Sequence, residues 1–312
     1  MLSPNVSIII PVRNGRAYID EAIASVLIQS FQDFEIVVIN DGSTDGDYDS
    51  LSSTDPRIRV FHLPGCGVST ARNLGMGAAR GELIAFLDAD DVWFPGKLQA
   101  QVNYMQAHPQ VGVVFGGFLK WEAGPDGEFP PASSLVSDCE ALTRPEATRS
   151  GWLYSRLLMG LLVGMNTAMV RRSVVEAIGG FNTSLRQAED YDFWLKASRV
   201  AEMHALDGRV ALYRIHPASA MHRLAPDNAL VNVLRAARLR WGLQGPAGDS
   251  LSPQAFQRRL AQVQFDHGYV HFWQGNRAVA RRAFWRALLA GFHSRRCAVY
   301  IALSCLPFRM RR

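Results

Sequence analysis

Over the first 120 residues, apolar positions switch repeatedly between short continuous runs and helical spacing. Val6–Ile10 is a β-branched run that Pro11 is expected to end, and Ile19, Ala22, Ile23, Val26 and Leu27 then recur on one helix face. Glu35–Ile39 reads as a second buried strand, followed by the turn residues Asn40-Asp41-Gly42-Ser43. Ile58–His62 is a third strand, Gly67–Ala79 a helix and Glu82–Leu87 a fourth strand. Pro95 is expected to open another helix, in the first turn where its missing N–H does no harm, and Val111–Phe118 is a fifth strand. Strands without in–out alternation, joined by helices, predict an α/β fold with a mostly parallel central sheet flanked by helices. Ligands bind such sheets beyond the carboxyl ends of the strands. That rule selects Pro11–Gly15, Asp41–Asp45 and Asp88–Asp91.

Gly124–Pro145 is rich in proline, glycine, serine and charge and reads as a long loop over the sheet. Helical and strand patterns return over Leu153–Ser198, and from about Asp227 the pattern is helical throughout. The expected division is residues 1–224 and a basic helical C-terminal region, residues 225–312. In the latter, Ala280, Ala283, Phe284, Ala287 and Leu288 form an apolar stripe beside Arg277, Arg281, Arg282 and Arg286. Such a helix either packs in a hairpin with solvated arginines or lies in a membrane interface.

Composition bounds the function more than the fold. Hydrophobic residues are 48% and charged residues 20%, the ordinary globular range, which excludes a disordered or collagen-like chain. Cys66, Cys139, Cys297 and Cys305 contain no CxxC pair and read as reduced thiols. The longest apolar runs, Leu157–Met165 and Ala298–Phe308, fall short of the roughly 18 residues of a spanning helix. No Lys or Arg precedes Val6, so the basic region of a signal peptide is missing. These features lead to the expectation of a cytoplasmic protein. Charge is unevenly spread: Leu251–Arg312 holds eleven arginines and one acid, a surplus of ten in a chain of net charge +5, which leaves the first 250 residues at −5. That asymmetry predicts contact with an anionic surface. Trp273 and Trp285 stand among the arginines, but no nucleic-acid motif accompanies them. The expected surface is therefore an anionic membrane, with Arg295, Arg296, Arg309, Arg311 and Arg312 adding to the attraction.

The candidate chemistry lies in acids at strand and helix ends. Asp88, Asp90 and Asp91 follow a buried strand; alternation puts Asp88 and Asp90 on one side, where they can share a divalent cation or simply cap a turn. Asp41 can accept from a base or ribose, or serve as an Asx-turn cap. Arg72, inside a small apolar helix, pairs with an acid or reaches a phosphate or base. Glu189 and Asp190 open a helix whose Phe193, Trp194 and Ala197 face inward; the helix dipole favours acids there and is expected to keep Asp190 ionised, as a general base requires. His216 can bind a metal or pyrophosphate, and Arg214 can neutralise phosphate, or both can be structural.

Taken together, SIIIPVRNG (Ser7–Gly15), EIVVINDGSTD (Glu35–Asp45), GVSTARNLG (Gly67–Gly75), ELIAFLDADD (Glu82–Asp91), IGGFN (Ile178–Asn182), AEDYDFWLKAS (Ala188–Ser198) and YRIHPAS (Tyr213–Ser219) resemble the family 2 glycosyltransferases. Seven segments in the family's order span roughly residues 5–220. The resemblance implies the GT-A (nucleotide-diphospho-sugar transferase) fold and an inverting, metal-dependent transfer from a nucleoside-diphosphate sugar. By position, Pro11, Val12 and Arg13 line the base and ribose pocket, Asp41 hydrogen-bonds the base, and Arg72 approaches the nucleotide. Asp88, Ala89 and Asp90 form the DxD element; Asp90, with Asp88 and His216, holds Mg²⁺ or Mn²⁺. Asp190 matches the catalytic base, with Glu189 and Trp194 on the acceptor side. Arg13 stands where the family commonly has Tyr, so stacking becomes a cation over the base or a phosphate contact, and the donor is a UDP- or dTDP-sugar. The acceptor is expected to be a glycan or lipid-linked hydroxyl in bacterial surface polysaccharide or glycolipid synthesis.

Two other readings remain. A nucleotidyltransferase on a related sheet would carry a Gly-rich first loop, whereas Pro11–Gly15 has one glycine. A non-catalytic peripheral membrane adaptor would have no need of the acids at positions 88, 90 and 190.

Overall fold

The computed structural model describes residues 4–306 apart from 138, 140, 141, 143 and 218–223. Ser219, Arg309, Arg311 and Arg312 lie outside the described residues. In chain order the elements begin β1 (Val6–Val12), α1 (Arg16–Leu27), β2 (Phe34–Asp41), β3 (Ile58–Leu63), α2 (Val68–Ala78), β4 (Leu83–Phe86), β5 (Val92–Trp93) and α3 (Lys97–Ala107). They continue β6 (Val111–Glu122), β7 (Pro145–Gly151), α4 (Tyr154–Leu157), β8 (Met169–Arg171), α5 (Arg172–Ile178), α6 (Glu189–Ala197) and β9 (Glu202–Ile215). Four helices follow: α7 (Ala229–Trp241), α8 (Pro253–Trp273), α9 (Arg277–Leu289) and α10 (Ser294–Cys305). Two compact units result, one of Met1–Leu153 with Leu161–Pro217, the other of Tyr154–Gly160 with Ala218–Arg312.

The first unit is built on a sheet of order β3-β2-β1-β4-β8-β6-β9-β5, with β7 on β9. Strands β3, β2, β1 and β4 are parallel, as the sequence predicts. The far half is mixed: β8 runs antiparallel to both β4 and β6, and β9 is parallel to β6 but antiparallel to β5 and β7. β1 and β2 are buried at every position because helices cover both faces. Ile8, Ile10, Ile36 and Val38 face α1 and α3, while Val37 and Ile39 meet Ala71 of α2.

Two expected boundaries move. Pro11 stays inside β1, opposite Ile39; β1 pairs with β4 only through Ile9, so the missing N–H of Pro11 falls where no partner is needed. Helix α3 starts at Lys97 rather than Pro95, because Gly96 adopts a left-handed conformation (φ 78°) before it.

At the amino ends of the strands, buried Glu35 accepts from Ser7 Oγ (2.8 Å), the Arg80 N–H (2.6 Å) and Arg59 (2.9 Å). The turn into β4 presses against β1 there. A Cβ on Gly81 would lie 2.8 Å from the Asn5 carbonyl, the Ser7 nitrogen and the Val6 carbonyl carbon. Backbone cannot retreat as a side chain can, so Gly81→Ala is expected to destabilise the protein by about 2 kcal/mol, read as a lower urea midpoint at constant slope.

The second unit is helical. Tyr154 donates to the carbonyls of Ala237 (3.2 Å) and Gly242 (2.9 Å). Asn228, Ser252 and Asn276 cap α7, α8 and α9 with their side chains. Phe265, Phe272, Ala280, Phe284, Ala287 and Cys297 form its core, with Phe284 stacked on Tyr300 at 5.0 Å. The apolar stripe of α9 is thus covered by α8 and α10, which overturns its reading as a membrane-inserted face. Among the described residues the four cysteines form no disulfide. Among the described residues no helix is long and apolar enough to cross a membrane.

Candidate active site

The segments selected from the sequence meet beyond the carboxyl ends of β1, β2 and β4. The first two loops are stitched together by residues the sequence reading passed over. Ser43 Oγ accepts from the Asn14 N–H (2.9 Å), Asn14 Oδ1 from the Thr44 N–H (2.8 Å), and Asp45 from the Arg16 N–H (2.9 Å). Asp41 is buried, and its two oxygens accept the N–H groups of Cys66 (2.6 Å) and Gly67 (2.8 Å). It therefore secures the entry to α2, the capping role, while each oxygen keeps a second acceptor site. Gly42 (φ 72°) permits this, since a Cβ there would lie 2.8 Å from the Gly65 nitrogen. The exposed Arg13 spreads over the same turn, its Nη2 3.6 Å from a Cβ built on Gly65.

Four expected contacts are not made by side chains. Val12 is buried against Gly15 and α1, and Ala89 is buried in the same core, so each offers the crevice only its backbone. Pro11 is likewise buried. Trp194 is fully buried and cannot touch an acceptor, because the inward face of α6 lies in the core.

Arg72 organises the acids. It is buried, and its guanidinium donates to Asp88 Oδ1 (2.8 Å) and Glu189 Oε1 (3.3 Å). The adjacent Asn73 holds the loop before α6 by two hydrogen bonds: its Nδ2 donates to the Phe181 carbonyl (2.9 Å) and its Oδ1 accepts from the Phe181 N–H (2.8 Å). One turn of α2 thus brings the 88–91 turn and the start of α6 together. Glu189 is accordingly an ion-pair partner of Arg72 rather than an acceptor contact.

Asp190 accepts its neighbour Tyr191's N–H at 2.7 Å. Its carboxyl is raised above the ordinary value, first by burial and then by the negative Glu189, with Arg72 and the Tyr191 N–H opposing. At this helix start burial outweighs the groups that favour the charged form.

Asp88–Asp91 is a turn, closed by the Asp91 N–H to the Asp88 carbonyl (3.1 Å), rather than an alternating strand. Asp88 and Asp90 are partly exposed. Asp90 Oδ2 lies 3.0 Å from His216 Nε2, and burial together with the Asp88 charge pushes the Asp90 carboxyl up. Asp91 is buried and structural; it accepts from Asn166 Nδ2 (2.6 Å) and the Arg214 N–H (2.9 Å). Arg214 is not poised for phosphate: it is buried, donates to the Asp90 carbonyl (2.8 Å), pairs with Glu21 and stacks on Trp121 at 3.7 Å.

Among the described residues no three His, Cys, Asp or Glu side chains form a group able to hold an ion by themselves. The donors present still fit a hard divalent cation. Asp88 and Asp90 are crowded carboxylates open to the crevice, and Mg²⁺ or Mn²⁺ binds through one or two carboxylates when a diphosphate completes its shell.

Tyr213 adds to the cluster; it opens the YRIHPAS segment, in which the sequence points only to Arg214 and His216. Its hydroxyl is pushed up to about 12 by burial and by the charges of Asp91, Asp88, Asp90 and Asp190 in turn.

This crevice sits in the fold of the GT-A glycosyltransferases. The chain superposes on the crystal structure of Staphylococcus aureus TarS 1-349 in complex with UDP-GlcNAc with a TM-score of 0.65 and 21% identity, covering 92% of this chain and 81% of that one. Against the mannosyltransferase PcManGT from Pyrobaculum calidifontis, in complex with GDP-Man and Mn²⁺, the TM-score is 0.54 at 20% identity, covering 98% and 82%. Residues 7–156 match the family model of Glycosyl transferase family 2. The chain is 30% identical to the putative teichuronic acid biosynthesis glycosyltransferase TuaG of Bacillus subtilis over 242 residues, covering 76% of this chain and 86% of that protein. The chain belongs to glycosyl transferase family 2. It spans only 37% of the length of glycosyltransferases from Rickettsia felis and Rickettsia conorii to which it is 33% and 32% identical.

Proposed function

We propose that the protein is an inverting glycosyltransferase that moves a sugar from a nucleoside diphosphate, a uridine or thymidine one, to an acceptor hydroxyl. The observation that carries this reading is the Arg72 cluster, whose guanidinium pairs with Asp88 and with Glu189, the sequence neighbour of Asp190, beyond the carboxyl ends of a family 2 sheet. In this scheme Asp190 takes the proton of the acceptor hydroxyl as its oxygen bonds to the anomeric carbon. The bond from that carbon to the β-phosphate oxygen breaks on the opposite face, and its electron pair leaves with the diphosphate. Asp88 and Asp90 hold Mg²⁺ or Mn²⁺, which stabilises the charge on the departing oxygens. Arg72 orients Asp88 and keeps Asp190 ionisable, while Arg13 and the Asp41 turn receive the base and ribose. TuaG supports an acceptor in surface polysaccharide synthesis. Contact with anionic lipid belongs to the same proposal; because the α9 stripe is buried, attraction rests on exposed arginines such as Arg282, Arg286, Arg295 and Arg296.

Calorimetry with UDP tests the donor and cation assignments together. Wild type is expected to bind UDP about tenfold tighter with Mn²⁺ than with a chelator, a difference of about 1.4 kcal/mol. Asp90→Asn is expected to abolish most of that gain. Equal affinities with and without Mn²⁺ in wild type would refute the cation assignment, and binding of neither UDP nor dTDP would refute the donor.

A further inference from the structure

We propose that Phe118 and Tyr213 form an acceptor subsite that binds a pyranose ring, so that the transferred sugar is received by a glycan end. The inference rests on the transferase reading above and adds the chemical class of its acceptor. Along the last part of β6 the residues alternate: Phe118, Lys120 and Glu122 are exposed, while Leu119 and Trp121 turn into a core with Val92, Phe94 and Leu212. On β9, Ala211 lies opposite Phe118 and Tyr213 opposite Lys120, so Phe118, Lys120 and Tyr213 share one face. Only the end of that face is open: Phe118, Lys120 and Glu122 are exposed and Tyr213 half-buried, whereas Ala211 on the same face is buried against Trp93.

Its position follows from the topology. β8 is antiparallel to β4 and β6 is antiparallel to β8, so β6 and β9 run in the direction of β4. The carboxyl-terminal halves of β6 and β9 therefore end on the same side of the sheet as the acids. The field of those acids at the Tyr213 hydroxyl agrees. Phe118 also borders the loop that supports them. A Cβ on Gly164 would lie 3.2 Å from its ring, and two residues later Asn166 holds Asp91. A glycine at 164 leaves room for the ring beside the cluster.

The chemistry selects the occupant. The Phe118 and Tyr213 rings meet at 5.5 Å and 56°, and Phe118 is 42% exposed. A flat aromatic face carries partial negative charge and no hydrogen-bonding group. It suits the C–H face of a pyranose, whose hydroxyls point to the rim where Lys120 and Glu122 can receive them. A phosphate would require more than the single lysine of this face, and an acyl chain a deeper groove.

Saturation-transfer NMR with UDP and Mn²⁺ present tests this, using the methyl glycosides of glucose, galactose and N-acetylglucosamine as probes. Wild type is expected to pass saturation to the ring C–H protons of at least one. Phe118→Ala is expected to weaken that glycoside at least tenfold, and Phe118→Trp to retain it. Both variants are expected to keep the wild-type melting curve and UDP affinity within twofold. UDP binding with no glycoside bound, or with a glycoside indifferent to Phe118→Ala, would overturn the subsite and leave the transferase reading standing. Absence of binding of both UDP and dTDP in wild type would remove both.

Discussion

Asp190→Asn is expected to lower turnover by about 10²–10⁴-fold, the usual worth of a positioned general base, while UDP affinity stays within twofold. An amide keeps the carboxyl's shape and can still accept the Tyr191 N–H, so donor and fold are left alone; only the proton acceptor is lost. The direction of the Asp190 shift adds two consequences. The base works only when ionised, and its carboxyl is raised by burial and by Glu189, so the wild-type rate is expected to fall with acid at a pH above the ordinary carboxylate value of 3.8. For stability the sign is opposite to that of a salt-bridged aspartate. A raised folded value means that the favourable contribution is complete below the unfolded value and is lost as pH rises through the folded value. At neutral pH the ionised Asp190 therefore works against folding, and Asp190→Asn is expected to be at least as stable as wild type in urea. Wild-type turnover in this variant would refute the base, and a large loss of stability would refute the account of its environment.

The parts of the site that local pattern could reveal were those fixed by strand direction. Asp41 ends β2 and Asp88 follows β4, at the carboxyl ends that the crevice rule selects. Glu35, in the same motif as Asp41, begins its strand and so belongs to the opposite end, where it is buried in a structural network. The mixed half of the sheet was not legible, because β8 has three residues and its place between β4 and β6 depends on pairing order, which leaves no periodicity. Partners far apart were equally hidden. Arg72 meets acids 16 and 117 residues away, and the sequence left open whether it would meet an acid or a phosphate. Val12, Ala89 and Trp194 lie in motifs that point to a ligand, yet their side chains turn into the core. A motif fixes where the backbone runs, but the face of the element decides which side chains the ligand meets. Phe118 lies outside every motif, and Tyr213 opens the YRIHPAS segment without a role of its own; an aromatic at a strand end becomes informative only once its neighbours on the same face are known.

Arg72→Gln is expected to cost about 3 kcal/mol of stability, the low end for removing one partner from a buried ion pair. The low end applies because Asp88 is 29% exposed and water can partly replace the guanidinium there. Glutamine preserves bulk and some hydrogen bonding but leaves Asp88, Glu189 and Asp190 with no compensating cation. Arg72 is among the influences that lower Asp190, so its removal is expected to raise that carboxyl further and move the acid limb of the turnover profile to higher pH. Stability and rate thus change through different atoms of one residue: the first through the lost ion pairs to Asp88 and Glu189, the second through the field at Asp190. Arg72→Lys separates them. Lysine restores the charge, so the limb is expected to return most of the way. A single ammonium cannot match a planar fork that reaches two carboxylates, so stability is expected to recover only in part. Urea denaturation and a pH–rate profile on the three proteins distinguish the two effects. If Arg72→Gln left both unchanged, the guanidinium would be a bystander, and nothing else identified around it would account for three acids gathered at one point of the fold.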